Sequence, residues 1–431
     1  MPKDRFMHRV TLAVLFLLLT SNFSYAQATG PSVKFGIDCL ADDGFKILQG
    51  KRVGIVANPA SVDANLTSTV DRIRSAPNVK VVALFGPEHG IWGDEYAGVT
   101  VKDKKDPHTG IPIFSVYGKT RKPTTQMIKP LDVLVFDLQD IGSRSYTYIS
   151  TLKTCMEACA EHDVEMVVLD RPNPLGGERI EGPGLTRGFE SFVGLYPVPY
   201  VHGMTMGELA NYVHDNYFPN YKKLTVVKMQ GWQRSMVWVE TGHHWVPTSP
   251  HIPKAETCAA YATTGILGEL YIINIGVGYT LPFEMIGAPW IDAQALASSM
   301  PKLQGVSYRP AYFKPFYSTF KGEACEGVEM HIDPKTAENL VETNYRLIAA
   351  LGAKMLFEQT DISFMKMEEA EAKAEKRKPV KSDRAAMFDK VSGSDEPRKW
   401  LLEGKPLDEL FAKWKKDCEA FRESRKKYLL Y

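Results

Sequence analysis

Glu88 and His89 lie between Gly86-Pro87 and Gly90, directly after the apolar run Val81 to Phe85. A carboxyl group beside an imidazole can donate, accept and hold protons. An apolar run that empties into a glycine-flanked turn reads as a strand ending at the carboxyl edge of an open α/β sheet, where ligands bind. The apolar neighbours Phe85, Pro87, Ile91 and Trp92 are expected to raise the Glu88 pKa by desolvation, keeping the acid protonated near neutral pH. Such an acid assists a leaving oxygen, and glycosidic cleavage commonly pairs it with an ionised carboxylate that activates water or stabilises the sugar cation. The plainer account is a solvated turn in which Glu88 only hydrogen-bonds and His89 is satisfied by backbone; otherwise His89 orients Glu88 or binds a hydroxyl.

Other acids follow other apolar runs: Asp137, Asp140 and Asp170 at strand ends, with Glu181 and Glu284 on later loops. Asp140 is the first candidate for the carboxylate partner. With Arg144, Tyr146 and Tyr148 it forms a second polar cluster at the mouth of a helix predicted from Ser145 to Glu161. Arg144 can grip a substrate carboxylate in a forked geometry or make an internal salt bridge to Asp140 or Asp170. Asn58, Asp170 and Asn173 sit in turns after strands and are either sugar contacts or turn formers. His202 joins them as a candidate contact, as do Asn274, Tyr279 and Glu284 in NIGVGYTLPFEMIGAPW, whose aromatic faces can stack on sugar rings. Glu208, three residues after Thr205, is better explained by a capping box. His89, His202, His243, His244 and His251 lack HExxH or comparable spacing and no GxSxG elbow occurs, so neither a metal nor a serine hydrolase is expected.

The elements that must position these residues recur as apolar runs, Val53 to Ala57, Val79 to Phe85, Ile111 to Val116, Val133 to Phe136 and Met166 to Leu169, with helical segments between them. That rhythm predicts an α/β fold with a Rossmann-like parallel sheet. The first strand-to-helix turn reads Ala57-Asn58-Pro59-Ala60-Ser61 without GxGxxG, so no nucleotide or other cofactor is implied. Beyond Lys222 short strands and aromatic loops predict a second, smaller mixed α+β domain. The boundaries are residues 27–221 for the Rossmann-like domain and 222–431 for the smaller one, which would complete a substrate cleft. Lys366 to Arg384 reads as a solvated charged stretch, and Trp400 onward as a packed terminal helix carrying Leu407, Leu410, Phe411 and Trp414.

Residues 1–26 read as an export signal: Lys3, Arg5 and Arg9 precede the apolar run Val10 to Leu19, and Ser24-Tyr25-Ala26 offers small cleavage-site residues. The expected location is the periplasm or cell exterior, without stable membrane insertion after cleavage. Beyond that segment 49 Lys and Arg face 50 Asp and Glu, a balance that gives no footprint for nucleic acid. Six cysteines in 431 residues are too few for a disulfide-built scaffold.

Taken together, FGPEHGIWGDEYAGV, IPIFSVYGKTRKPT, DVLVFDLQDIGSRSYTYISTL, VVLDRPNPLGG, VPYVHGMTMGELA, NIGVGYTLPFEMIGAPWID and GEACEGVEMHI, in that order and through to the terminal YLLY, resemble the NamZ-type exo-β-N-acetylmuramidases. The resemblance implies release of terminal, non-reducing N-acetylmuramic acid (MurNAc) from peptidoglycan-derived disaccharides and glycan fragments, in a cleft between a Rossmann-like domain and a smaller one. The glutamate of the family's GPEHG motif falls on Glu88. Where some members read closer to SEGRGTT, this chain reads Asn274-Ile275-Gly276-Val277-Gly278-Tyr279-Thr280. The second catalytic group is either a carboxylate or the substrate's own 2-acetamido group. The competing class is a non-catalytic periplasmic protein that binds muropeptides.

Overall fold

The structure, a computed structural model, describes residues 33–96 and 98–431, so the expected signal at 1–26 lies outside the described residues. Seven strands build the larger sheet: β1 (Arg52–Val56), β2 (Lys80–Gly86), β3 (Lys104–Lys105), β4 (Pro112–Ser115), β5 (Val133–Phe136), β6 (Glu165–Leu169) and β7 (Leu224–Val227). Their order is β3-β4-β2-β1-β5-β6-β7, parallel throughout except for β3 against β4. Alternation of side chains along a strand explains why the central runs are apolar at every position. Val53, Ile55, Val133, Val135, Val167 and Leu169 enter the core on one face of the sheet. Val56, Leu134, Phe136, Met166 and Val168 enter the core on the other.

The chain steps outward from β1 through β2 to β4, then returns to β5 on the other side of β1. This reversal makes a switch point, and the strand ends there are level, because Val56 pairs with both Phe85 and Phe136. Residues following β1, β2 and β5 therefore emerge around one crevice. The helix Tyr148–His162 follows β5 and buries Ile149, Leu152, Met156 and Cys159 as its spacing predicts. It begins three residues later than expected, and Ser145 to Thr147 form the turn before it. Thr205 and Glu208 make the expected capping box on the helix Met206–Tyr217.

The smaller sheet is antiparallel, in the order β8 (Met285–Ala288), β10 (Cys325–Ile332), β9 (Val306–Phe313). Helices Thr257–Gly268 and Leu340–Leu351 pack together in this part of the chain. One apolar core runs through both parts, taking Phe85 and Tyr200 on one side and Ile266, Tyr345, Phe388 and Trp414 on the other. The larger sheet extends past the boundary drawn at 221/222. Leu224–Val227 is its seventh strand, and Met229, Trp232 and Trp238 fill the core against β1, β5 and β6.

Candidate active site

A cavity of about 340 Å³ opens beyond the carboxyl end of β2, where the loops of the larger sheet meet the helix Thr257–Gly268 and the segment before β8. Glu88 is brought there by a tight reversal of the chain. A side chain at Gly86 would stand 2.8 Å from the Ile91 nitrogen, so the loop folds directly onto the strand end and tolerates only glycine. His89 then takes φ = 70°, a left-handed backbone uncommon outside glycine and enriched at functional turns. The Glu88 carboxylate accepts from the Gly98 N–H at 2.9 Å and from the Thr147 hydroxyl at 2.6 Å. Thr147 occupies the N-cap position of Tyr148–His162 without making a side-chain capping bond, and its hydroxyl donates to Glu88.

These surroundings are more polar than the apolar wall expected from sequence. Trp92 is 44% exposed and lies under the Lys104 ammonium, and two donors hold Glu88 where hydrophobic neighbours were expected. His89 lines the cavity with Nδ1 anchored to the Glu95 carbonyl at 2.9 Å. Burial, reinforced by the nearby Glu88 charge, pushes the Tyr117 phenol well up, so it is a hydrogen-bond donor at any ordinary pH. Burial also pulls His251 down to about 4, leaving a neutral ring whose Nε2 is bonded to the Tyr317 hydroxyl and whose Nδ1 has no protein partner among the described residues.

The same cavity is lined by a second acid, Glu269, directly after the helix Thr257–Gly268. Arg384, itself buried, hydrogen-bonds its carboxylate and donates from Nε to its main-chain carbonyl at 2.8 Å. Burial pushes the Glu269 carboxyl up, Arg384 pulls it down, and Glu88 adds to the rise. Tyr146 and Asn274 also line this space. The Tyr146 hydroxyl is tied to Thr248, while Asn274 spends its amide on the Val277 and Thr319 carbonyls and so shapes the glycine loop.

Two family models cover the chain: exo-β-N-acetylmuramidase NamZ, N-terminal, at residues 53–256, and exo-β-N-acetylmuramidase NamZ, C-terminal, at residues 259–431. The peptidoglycan β-N-acetylmuramidase NamZ of Bacillus subtilis (strain 168) is 40% identical over 406 residues, 94% of this chain and 92% of that protein. The chain belongs to the exo-β-N-acetylmuramidase NamZ family. Crystal structures of two DUF1343 family proteins of Bacteroides fragilis NCTC 9343 share the fold. One has 43% identity and a TM-score of 0.79, the other 28% and 0.65, each covering 93% of this chain and 99% of its own.

Within this family fold the remaining candidates lie away from the cavity, each for a physical reason. Asp140 Oδ2 accepts from the Gly142 N–H at 2.8 Å and lies 3.4 Å from His202 Nε2 in the turn after β5, while Asp140 Oδ1 and His202 Nε2 have no hydrogen-bond partner among the described residues. His202 Nδ1 is further used by the Met204 N–H. Arg144 is not among the cavity's lining and, among the described residues, pairs with no carboxylate: fully buried and pulled down to about 10 by that burial, it donates to the carbonyls of Pro183, Val198 and Val391. Asn58 is consumed by Tyr148, Thr248 and its own turn, and Tyr148 by Thr248. Asp170 accepts four hydrogen bonds, and Asn173 is bound to Met204 and Leu175. Tyr279 packs on Phe313 and Phe316, and Glu284 pairs with Lys254 at 2.8 Å.

Sequence reasoning passed over Tyr117, Thr147, Glu269 and Arg384. Glu269 carries the signal that singled out Glu88, an apolar run emptying into an acid beside glycine, here on a helix. Arg384 was hidden at the end of a charged stretch read as solvated.

Proposed function

We propose that this protein is an exo-acting glycoside hydrolase that releases terminal, non-reducing MurNAc from peptidoglycan fragments such as MurNAc-GlcNAc, with Glu88 as the general acid. Membership of the NamZ family carries the reaction class. The observation that carries the residue is the position of Glu88 just past the carboxyl end of β2, beside the switch-point strand β1, its side chain lining a cavity shared with a second carboxylate. A volume of about 340 Å³ sits at the small end of ligand sites, roughly 300–1,000 Å³, and suits one substituted sugar ring better than a length of glycan. Tyr117 and the neutral His251 supply hydrogen bonds for hydroxyl and acetamido groups. We also propose that the protein works outside the cytoplasm, on the strength of Lys3, Arg5 and Arg9 before Val10 to Leu19.

The test is incubation of the purified protein with MurNAc-GlcNAc, without added metal, followed by mass analysis beside a Glu88→Gln control. Free MurNAc from the wild type alone supports both the reaction and the role of Glu88. Intact disaccharide from both, with saturable binding, would instead make the cavity a muropeptide-binding site.

A further inference from the structure

We propose that Glu269, clamped by Arg384, is the second carboxylate of the reaction: the base that takes a proton from water attacking the sugar on the face opposite Glu88. The proposal rests on the muramidase reading of the cavity given above. Glu269 and Glu88 come from different parts of the chain and line the same space, the arrangement that two-carboxylate glycoside hydrolysis requires.

The mounting of Glu269 is rigid at every level. Its helix, Thr257–Gly268, is buried along almost its whole length, and Asn344 Oδ1 accepts from the Ile266 and Leu267 N–H groups at 3.1 Å each. Ile275 covers the last helical residue so closely that a side chain at Gly268 would stand 2.3 Å from its Cδ1. Arg384 grips both the main chain and the carboxylate of Glu269, and its guanidinium stacks over Tyr271 at 4.4 Å and Phe364 at 5.2 Å. Only Oε2 of the carboxylate is used by that clamp; Oε1 has no protein hydrogen bond among the described residues. A side chain held in one orientation with one oxygen free is what a base needs.

Among the described residues Arg384 is the one lysine or arginine lining the cavity, and it is spent on Glu269. That ion pair gives Glu269 a partner for its charged form, which suits the base, Glu88 being the general acid of the proposed reaction. Burial opposes the pull of Arg384 on Glu269, which leaves a stronger base than a solvated carboxylate. In the step itself Glu88 gives its proton to the glycosidic oxygen as the C1–O bond breaks, the electron pair leaving on that oxygen. The water oxygen bonds C1 and its proton passes to Glu269. Glu269 returns that proton to solvent and Glu88 regains one, so no further reactant is required, and the configuration at C1 inverts.

The experiment follows MurNAc-GlcNAc hydrolysis by proton NMR in the wild type, Glu269→Gln and Glu88→Gln proteins, with thermal melting beside each. The expected first product of the wild type is α-MurNAc. Glu269→Gln should lose about 10²- to 10⁴-fold in kcat with little change in KM, and added azide should restore turnover as the α-glycosyl azide. β-MurNAc as the first wild-type product, Glu269→Gln activity within about threefold of wild type, or a folded Glu269→Gln that azide does not rescue would each overturn the base role. If that variant fails to fold, Glu269→Asp, which keeps the carboxylate but draws it back from the sugar, takes its place: turnover within about threefold of the wild type would overturn the base role. A wild type that leaves the disaccharide intact removes the muramidase reading itself, whereas an active wild type with an active Glu269→Gln removes only the role of Glu269.

Discussion

The acids that follow β5 and β6 and the acid that follows β2 occupy equivalent places at one edge of one sheet, yet their oxygens meet different things. Asp137 gives both oxygens to Arg171, at 2.5 and 2.8 Å, and one of them also to the Thr69 hydroxyl. Asp170 accepts from the Arg171 and Gly207 N–H groups, Thr205 and Tyr431, tying the end of β6 to the helix Met206–Tyr217 and to the C-terminal residue. Glu88 and Glu269 also have partners, but both face open space. A strand end thus delivers acids to an edge without deciding their work. The decision comes from whether the surrounding chain supplies enough donors to consume them.

The comparison is broken most sharply by pairing Glu88→Gln with Asp140→Asn. Losing a general acid should cost about 10²- to 10⁴-fold in kcat without shifting the melting temperature, while Asp140→Asn should stay within about threefold of wild type. A large kcat loss in a fully stable Asp140→Asn would return that residue to the chemistry. Next is Arg144→Met, which leaves three buried carbonyls without their donor. At roughly 1 kcal/mol each, urea unfolding should show a loss of about 3 kcal/mol, with KM for the disaccharide nearly unchanged. A large rise in KM at unchanged stability would instead mean that Arg144 grips the substrate.

Asp170 tests the structural cluster through pH. Burial raises its carboxyl from 3.8 to about 6, so the folded protein binds this proton more tightly than the unfolded chain. Its stabilising contribution is complete below pH 3.8 and is lost as pH rises through about 6. Asp170→Asn should therefore flatten the fall in unfolding free energy between those limits, by up to about 3 kcal/mol. An unchanged slope in that variant would show that Asp170 is not the group responsible.

Much of the scaffold was legible because burial on both faces of a parallel sheet forces continuous apolar runs, and each of the five runs noted in the sequence overlaps a strand. Leu224–Val227 escaped because both its neighbours and its own partial burial lack that contrast. At the site, Glu88 was legible because strand end, acid and glycines are adjacent in sequence. Arg144 was misread because a fully buried arginine held by three carbonyls has no local signature: its partners are 39, 54 and 247 residues away. The Glu269–Arg384 clamp joins residues 115 apart and depends on the way helix Arg384–Ser392 returns to the cavity, a tertiary fact without a sequence period.

The smallest effects lie among the neutral groups of the cavity and sharpen the contrast from its other side. Removing the Tyr117 hydroxyl with Phe takes a donor from the cavity wall near Glu88 and should lower kcat about tenfold, roughly the worth of one hydrogen bond. His251 should matter less still. Burial, with His89 nearby, brings its pKa to about 4, so the ring is already neutral throughout pH 5–8 and adds no limb to the activity profile there. His251→Gln keeps a neutral polar group at the same place, and kcat against pH should retain its shape with a change of about threefold or less. If an acid limb near pH 6 disappeared in that variant, His251 would be titrating in the working range. Protons would then enter the cavity through the imidazole as well as through the two carboxylates.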